Sequence, residues 1–165
     1  MAVATFQGDV FINGTLVCAN ITIPANSIAN AQVQSAAAIA SDKVLSRPRK
    51  TYAQASGAAS VAATQTIHVV SGLTGTLKTF QIGSIVANVS GATITADLKK
   101  NGTTVLAAVV SLDDTNAAYE LEVGSITNTG VVQDDVLTII IAVAAGGGTI
   151  GQGVFAELML EEDPQ

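Results

Sequence analysis

"TITADLKKNGTTVLAAVVSL", residues 93–112, decides the fold. Two arms rich in β-branched residues flank Asn101-Gly102, a dipeptide suited to a two-residue hairpin turn because both positions tolerate positive φ. In the first arm Ile94, Ala96 and Leu98 alternate with Thr95, Asp97 and Lys99. A period of two belongs to a half-buried strand and not to a helix. The stretch predicts an antiparallel hairpin.

The same signals recur outward from it. "TQTIHVV" (64–70) and "VLTIIIAV" (136–143) carry the β-branched content of strands. Strands are expected near 50–54, 64–70, 77–87, 93–99, 104–112, 119–126, 136–143 and 153–160. "SLDDTN" (111–116) and "VVQDDV" (131–136) place aspartate pairs beside them, where Asp favours turns through local hydrogen bonds to the backbone. Eight short strands with regular turn signals predict a mainly β fold, an antiparallel β-sandwich of jelly-roll type over 49–165.

Residues 1–48 read differently, as an N-terminal arm of a hairpin plus short helices. In "GDVFINGTLVCANITIP" β-prone residues flank Asn13-Gly14, a second hairpin signal. A lone two-stranded hairpin buries too little to be stable in water, so it needs a surface to lie on. After Pro24, Ser27 or Asn30 and then Ser35 can cap two short helices, and Arg47-Pro48 ends the second. Ile28, Val33, Ile39 and Val44 are spaced five or six apart among small residues. Such a segment is expected to pack against copies of itself or against a neighbouring protein, with Ile28, Val33, Ile39 and Val44 as self-association positions. A partly disordered linker is the alternative.

Composition points the same way. Hydrophobic residues make up 48% and charged residues 12%, with aromatics at 4% and no Trp. So little charge leaves apolar surface uncovered, which marks contact with another chain. The run "VLTIIIAVAA" (136–145) is about half the length of a spanning helix, so no membrane association is expected. "MAVATFQGDV" shows no Sec-type signal, and the protein is expected to stay where it is made. Cys18 stands alone, and the four Asn-X-Ser/Thr sequons at Asn13, Asn20, Asn88 and Asn101 read as turn and strand chemistry. Net charge is −6, yet Lys43, Arg47, Arg49 and Lys50 fall within one octet, "KVLSRPRK". Most of the chain repels nucleic acid, while this octet can meet an acidic surface.

Chemistry-bearing constellations are scarce. The sole histidine, His68, sits within "TIHVV" and reads as a surface or interface residue. One His and one Cys far apart in sequence do not make a zinc site. Glu120 and Glu122 alternate on one expected strand and could share a cation. Asp113-Asp114 and Asp134-Asp135 lack the spacing of a calcium loop and read as solvated turns. "AAGGGTIGQG" (144–153) has no GK[ST] and joins two expected strands. No cofactor and no enzymatic activity are expected.

"FINGTLVCANITIPANSIANAQVQSAAAIASDKV" (11–44) resembles the N-terminal segment of certain tailed-phage virion proteins. "ITADLKKNGTTVLAAVVSL" with "DDVLTIIIAVAAGGG" is similar to the jelly-roll domains of phage capsid decoration (cement) proteins and related fibre heads. The resemblance implies a homotrimer on the capsid exterior, made in the host cytoplasm, that clamps neighbouring subunits of the major capsid protein. Docking would then fall to Phe11, Ile12 and Leu16 of the arm and to Lys43, Arg47, Arg49 and Lys50. A tail-fibre or receptor-binding head is the competing expectation, and it calls for a groove with exposed aromatics.

Overall fold

The computed structural model describes residues 46–162. The expected arm over 1–48 therefore lies outside the described residues except for Ser46 to Pro48, as do Phe11, Ile12, Leu16, Ile28, Val33, Ile39, Lys43 and Val44. Among the described residues ten strands form two antiparallel sheets: β1 Arg49–Ala53, β2 Ala63–Val69, β3 Thr74–Val86, β4 Thr93–Lys100, β5 Thr103–Thr104, β6 Val110–Leu112, β7 Leu121–Gly124, β8 Gly130–Val132, β9 Val136–Ala144 and β10 Gln152–Glu162. One sheet runs β1-β10-β3, with β7 and β8 sharing the far edge of β3. The other runs β2-β9-β4, with β5 and β6 sharing the far edge of β4.

The turn and first arm of the hairpin read from residues 93–112 form as expected. Asn101 and Gly102 adopt φ of 49° and 83°, both positive, and Lys100 pairs with Thr103 across the turn. Alternation then fills the core. β4 turns Ile94, Ala96 and Leu98 inward, and β9 answers with Leu137, Ile139 and Ile141. From the other sheet come Leu77, Phe80 and Ile82 of β3 and Val154, Ala156, Leu158 and Leu160 of β10, all in the same buried cluster. A buried leucine or phenylalanine in such a layer contributes about 1.5–3 kcal/mol by leaving water. The interior faces of these four strands therefore supply the main driving force for folding.

Three expectations change. The expected strand over 104–112 is split into β5 and β6. Val105 still donates to Leu98 O on β4, but its own carbonyl accepts from Thr127, and Leu106 bridges Ile126. The chain thus leaves one sheet, pairs with the segment after β7, and returns. The expected strand over 119–126 shrinks to β7, because Tyr119 takes a positive φ of 64° in the turn before it. β8 was not expected: "GVV" is too short to show a period, and its pairing with Thr74, Gly75 and Thr76 of β3 is long-range.

Turn side chains replace missing backbone partners. Asn101 Nδ2 donates to Asp135 Oδ1 at 2.6 Å, and Asn101 Oδ1 accepts from Val136 N at 2.8 Å, tying the β4–β5 turn to the start of β9. Asp135 is itself buried and also accepts from Val132 N. At the opposite end the Gly-rich β9–β10 connection bridges Val89 to Thr149. A Cβ at Gly148 would fall inside contact distance of Val89 O, so only glycine fits.

Replacing Asn101 by Asp exchanges the Nδ2 donor for an oxygen that faces a buried carboxylate. Asn101→Asp is expected to lower stability by about 1–3 kcal/mol, the cost of an unmet buried polar group. Urea unfolding checks it, with Thr103→Ser, in the same hairpin, unchanged within error.

Candidate interaction face

The strands β1, β10, β3 and β7 lie in that order, so their outward side chains form rows across the sheet. In one row Ala53, Phe155, Gly83 and Leu121 stand opposite one another in register. Phe155 lies against Gly83, where a Cβ would come within 2.6 Å of its ring and 3.1 Å of a Leu121 methyl. Glycine at 83 leaves the space that the Phe155 ring and the Leu121 methyl both approach. Leu121 and Val123 alternate outward on β7, exposed by 45 and 65%, and Tyr119, in the turn before β7, is exposed by 68%. This end of the face is apolar and uncovered among the described residues.

The other end is charged. Arg49 Nη1 donates to Glu157 Oε1 at 2.9 Å, and Gln81 Nε2 donates to the same oxygen at 3.3 Å, linking β1, β10 and β3. One turn of the ladder away, Arg47 Nε donates to Glu161 Oε2 at 2.9 Å, and Lys78 Nζ reaches Glu161 Oε1 at 3.1 Å. Arg47, Lys78, Met159 and Glu161 line a shallow pocket of about 230 Å³. Lys78 reaches this position because the β10–β3 register shifts between Met159 and Leu160, which leaves Lys78 without a partner residue in the ladder.

The basic octet therefore divides. Arg47 and Arg49 sit on the outward face but are already engaged by carboxylates of β10. Lys50 pairs in register with the buried Leu158 and so belongs to the opposite side of β1. Lys43 lies outside the described residues. Exposed ion pairs of this kind contribute little stability each, about 0–1 kcal/mol. Their effect here is to fix the direction of Arg47 and Arg49 along the face.

His68 corrects an expectation. It is not a surface residue: its side chain is 11% exposed, and Nε2 lies 2.5 Å from Oε1 of Glu162, which is 6% exposed. A shift in the β2–β9 register between Thr66 and His68 is the cause. It bulges Ile67 and sets His68 opposite the buried Leu137, so simple alternation along "TIHVV" gives the wrong face. Ser71 Oγ donates to the other oxygen, Oε2, at 3.2 Å. The acid lies between the serine and the imidazole, whereas nucleophile activation needs the imidazole between the other two.

The acids between Asp113 and Glu122 have partners within the fold. Glu120 accepts from Ala117 N and Glu122 from Asn116 Nδ2, so each closes its own turn. Asp113 accepts from the Thr115 hydroxyl and N–H, which hold its carboxyl below the usual range, with burial opposing weakly. Asp114 accepts from Gly91 N. No group of three or more potential metal ligands occurs among the described residues, and no described helix is long and apolar enough to cross a membrane. Sequence reading missed the row through Phe155, Gly83 and Leu121. The alternation in "YELEV" (119–123) carries part of that signal, in Leu121 and Val123 alternating with its glutamates. Compared with protein-family models and with curated proteins, the chain matches none.

The Lys78 ammonium, by hydrogen bond first and then by charge with help from Arg47, holds the Glu161 carboxyl below the usual range, against opposition from burial. A depressed folded-state value means that this contribution is present above the ordinary glutamate range and is lost as pH falls through the depressed value. Lys78→Met is expected to raise the titration midpoint of Glu161, and Arg47→Met to raise it less. Carboxyl-carbon NMR across an acid titration checks both.

Proposed function

We propose that the chain is a structural virion protein of a tailed phage: a homotrimeric capsid decoration protein that sits on the capsid exterior and clamps neighbouring major capsid subunits. In this reading it is made in the host cytoplasm, has no enzymatic activity and needs no cofactor. Residues 1–48 run along the capsid and against sister subunits, and the β domain projects outward. A sister subunit covers the apolar end of the β1-β10-β3-β7 face.

The observation that carries the proposal is that uncovered apolar end, on a chain with 12% charged residues. Leu121 and Val123 are exposed on β7, Leu121 in the row through Gly83 and Phe155, which supports a surface where another chain belongs. Strand order adds support at the level of fold. If β5 with β6, and β7 with β8, are each taken as one interrupted strand, the two sheets read 1-8-3-6 and 2-7-4-5. That order supports a reading as two interlocked Greek keys, the jelly-roll arrangement. The receptor-binding alternative calls for a cluster of exposed aromatics. Among the described residues Tyr119 is the exposed large aromatic.

The test is the native mass of the full chain by light scattering, followed by co-sedimentation with shells assembled from the major capsid protein of the same phage. A trimer that co-sediments is expected for the wild type. Leu121→Asp with Val123→Asp is expected to yield a folded protein of smaller native mass. A monodisperse wild-type monomer that stays in the supernatant overturns the proposal.

A further inference from the structure

Glu162 takes part in three interactions at once. Its main chain pairs with Ser46, donating Glu162 N to Ser46 O at 2.8 Å and accepting from Ser46 N at 3.1 Å. On its other side it stands opposite Gly75 of β3, whose missing side chain leaves room for the close approach of Glu162 Cα. Its carboxylate turns inward to His68 Nε2 of β2, in the other sheet, and to Ser71 Oγ. Glu161, next in the chain, points to the opposite face, where Arg47 and Lys78 hold it. Residues 46 and 47 are thus gripped by residues 162 and 161, and the grip on 162 continues through His68 into the second sheet.

We propose that Glu162 and His68 form a clasp that couples the attachment of the chain at Ser46 to the β2-β9-β4 sheet. His68 Nε2 and Glu162 Oε1 share one hydrogen bond, and each is the other's partner across the two sheets. When one partner of such a buried pair is removed, the other is left with an unmet polar group or charge, which is strongly destabilising. The carboxylate is aimed inward only while the ladder to Ser46 and Gly75 keeps residue 162 extended. Fraying of that ladder lets the carboxylate swing away from His68, and loss of His68 removes the reason for residue 162 to stay extended. Two states follow, clasped and open, with little between them. A pull on the chain before Ser46 is transmitted to β2 through this pair and not dissipated at the end of β10.

Amide hydrogen exchange on the full chain, read residue by residue, tests the coupling. In His68→Ala the amides of Ser46 and Glu162 are expected to exchange at least tenfold faster, although His68 belongs to a different sheet from either. Gln54 N–H, bonded to Val154 O at the far end of β1, and Val105 N–H, bonded to Leu98 O, are expected to hold their rates. His68→Gln, which keeps a side-chain donor, is expected to restore part of the protection. Unchanged rates at Ser46 overturn the proposal. Equal acceleration at Ser46, Gln54 and Val105 also overturns it, because global loss of stability then explains the effect. Should His68→Ala fail to fold, Ser71→Ala serves in its place, with a smaller acceleration confined to the same two amides.

Discussion

The pairing of β10 with β3 is the constraint on which the rest depends. β10 is laddered on both sides, to β1 and to β3, and its alternation serves two surfaces at once. Val154, Ala156, Leu158 and Leu160 go to the core, while Phe155, Glu157, Met159 and Glu161 build the outer face. A slip of one residue would exchange the two sets and bury Glu157 and Glu161. The bulge at Lys78 absorbs an extra residue of β3 without such an exchange: Leu77 remains opposite Leu160, and Phe80 opposite Leu158. The apolar row, the two ion-pair clamps and the inward turn of Glu162 all inherit their positions from this register.

Much of this architecture was legible in the sequence where the signal is local. Asn101-Gly102 specifies its turn through two residues that accept positive φ, and the alternation from Ile94 to Leu98 specifies a buried face. What could not be read is set by distant partners. Thr104 to Leu112 is β-prone throughout, yet it is interrupted because Leu106 finds Ile126 across the sheet edge. The burial of His68 is not legible along β2 alone, because the bulge at Ile67 depends on how β2 meets β9. A three-residue strand such as β8 has no period of its own. Its place is given by the edge of β3 that it completes.

The outer face shows the same division. A run of basic residues announces positive charge in the sequence, but the charge is partly answered within the fold. Arg47 and Arg49 lie next to acids that stand more than a hundred residues later in the chain. Residue spacing cannot reveal that match. The apolar row has the converse property. Ala53, Gly83, Leu121 and Phe155 are unremarkable one by one and form a surface only when four strands align.

The interrupted strands bear on solubility. Exposed sheet edges are templates for uncontrolled pairing between molecules, and a chain with so little charge is poorly defended by repulsion. Here each edge is spoiled in its own way. β5 and β6 are separated by a detour, as are β7 and β8. β2 is broken in register at Ile67, and the chain entering β1 carries Pro48, which has no N–H to offer, followed by Arg49. For a protein that is two-fifths alanine, valine, isoleucine and leucine, these interruptions shorten the runs of free backbone groups that the described edges offer to another chain.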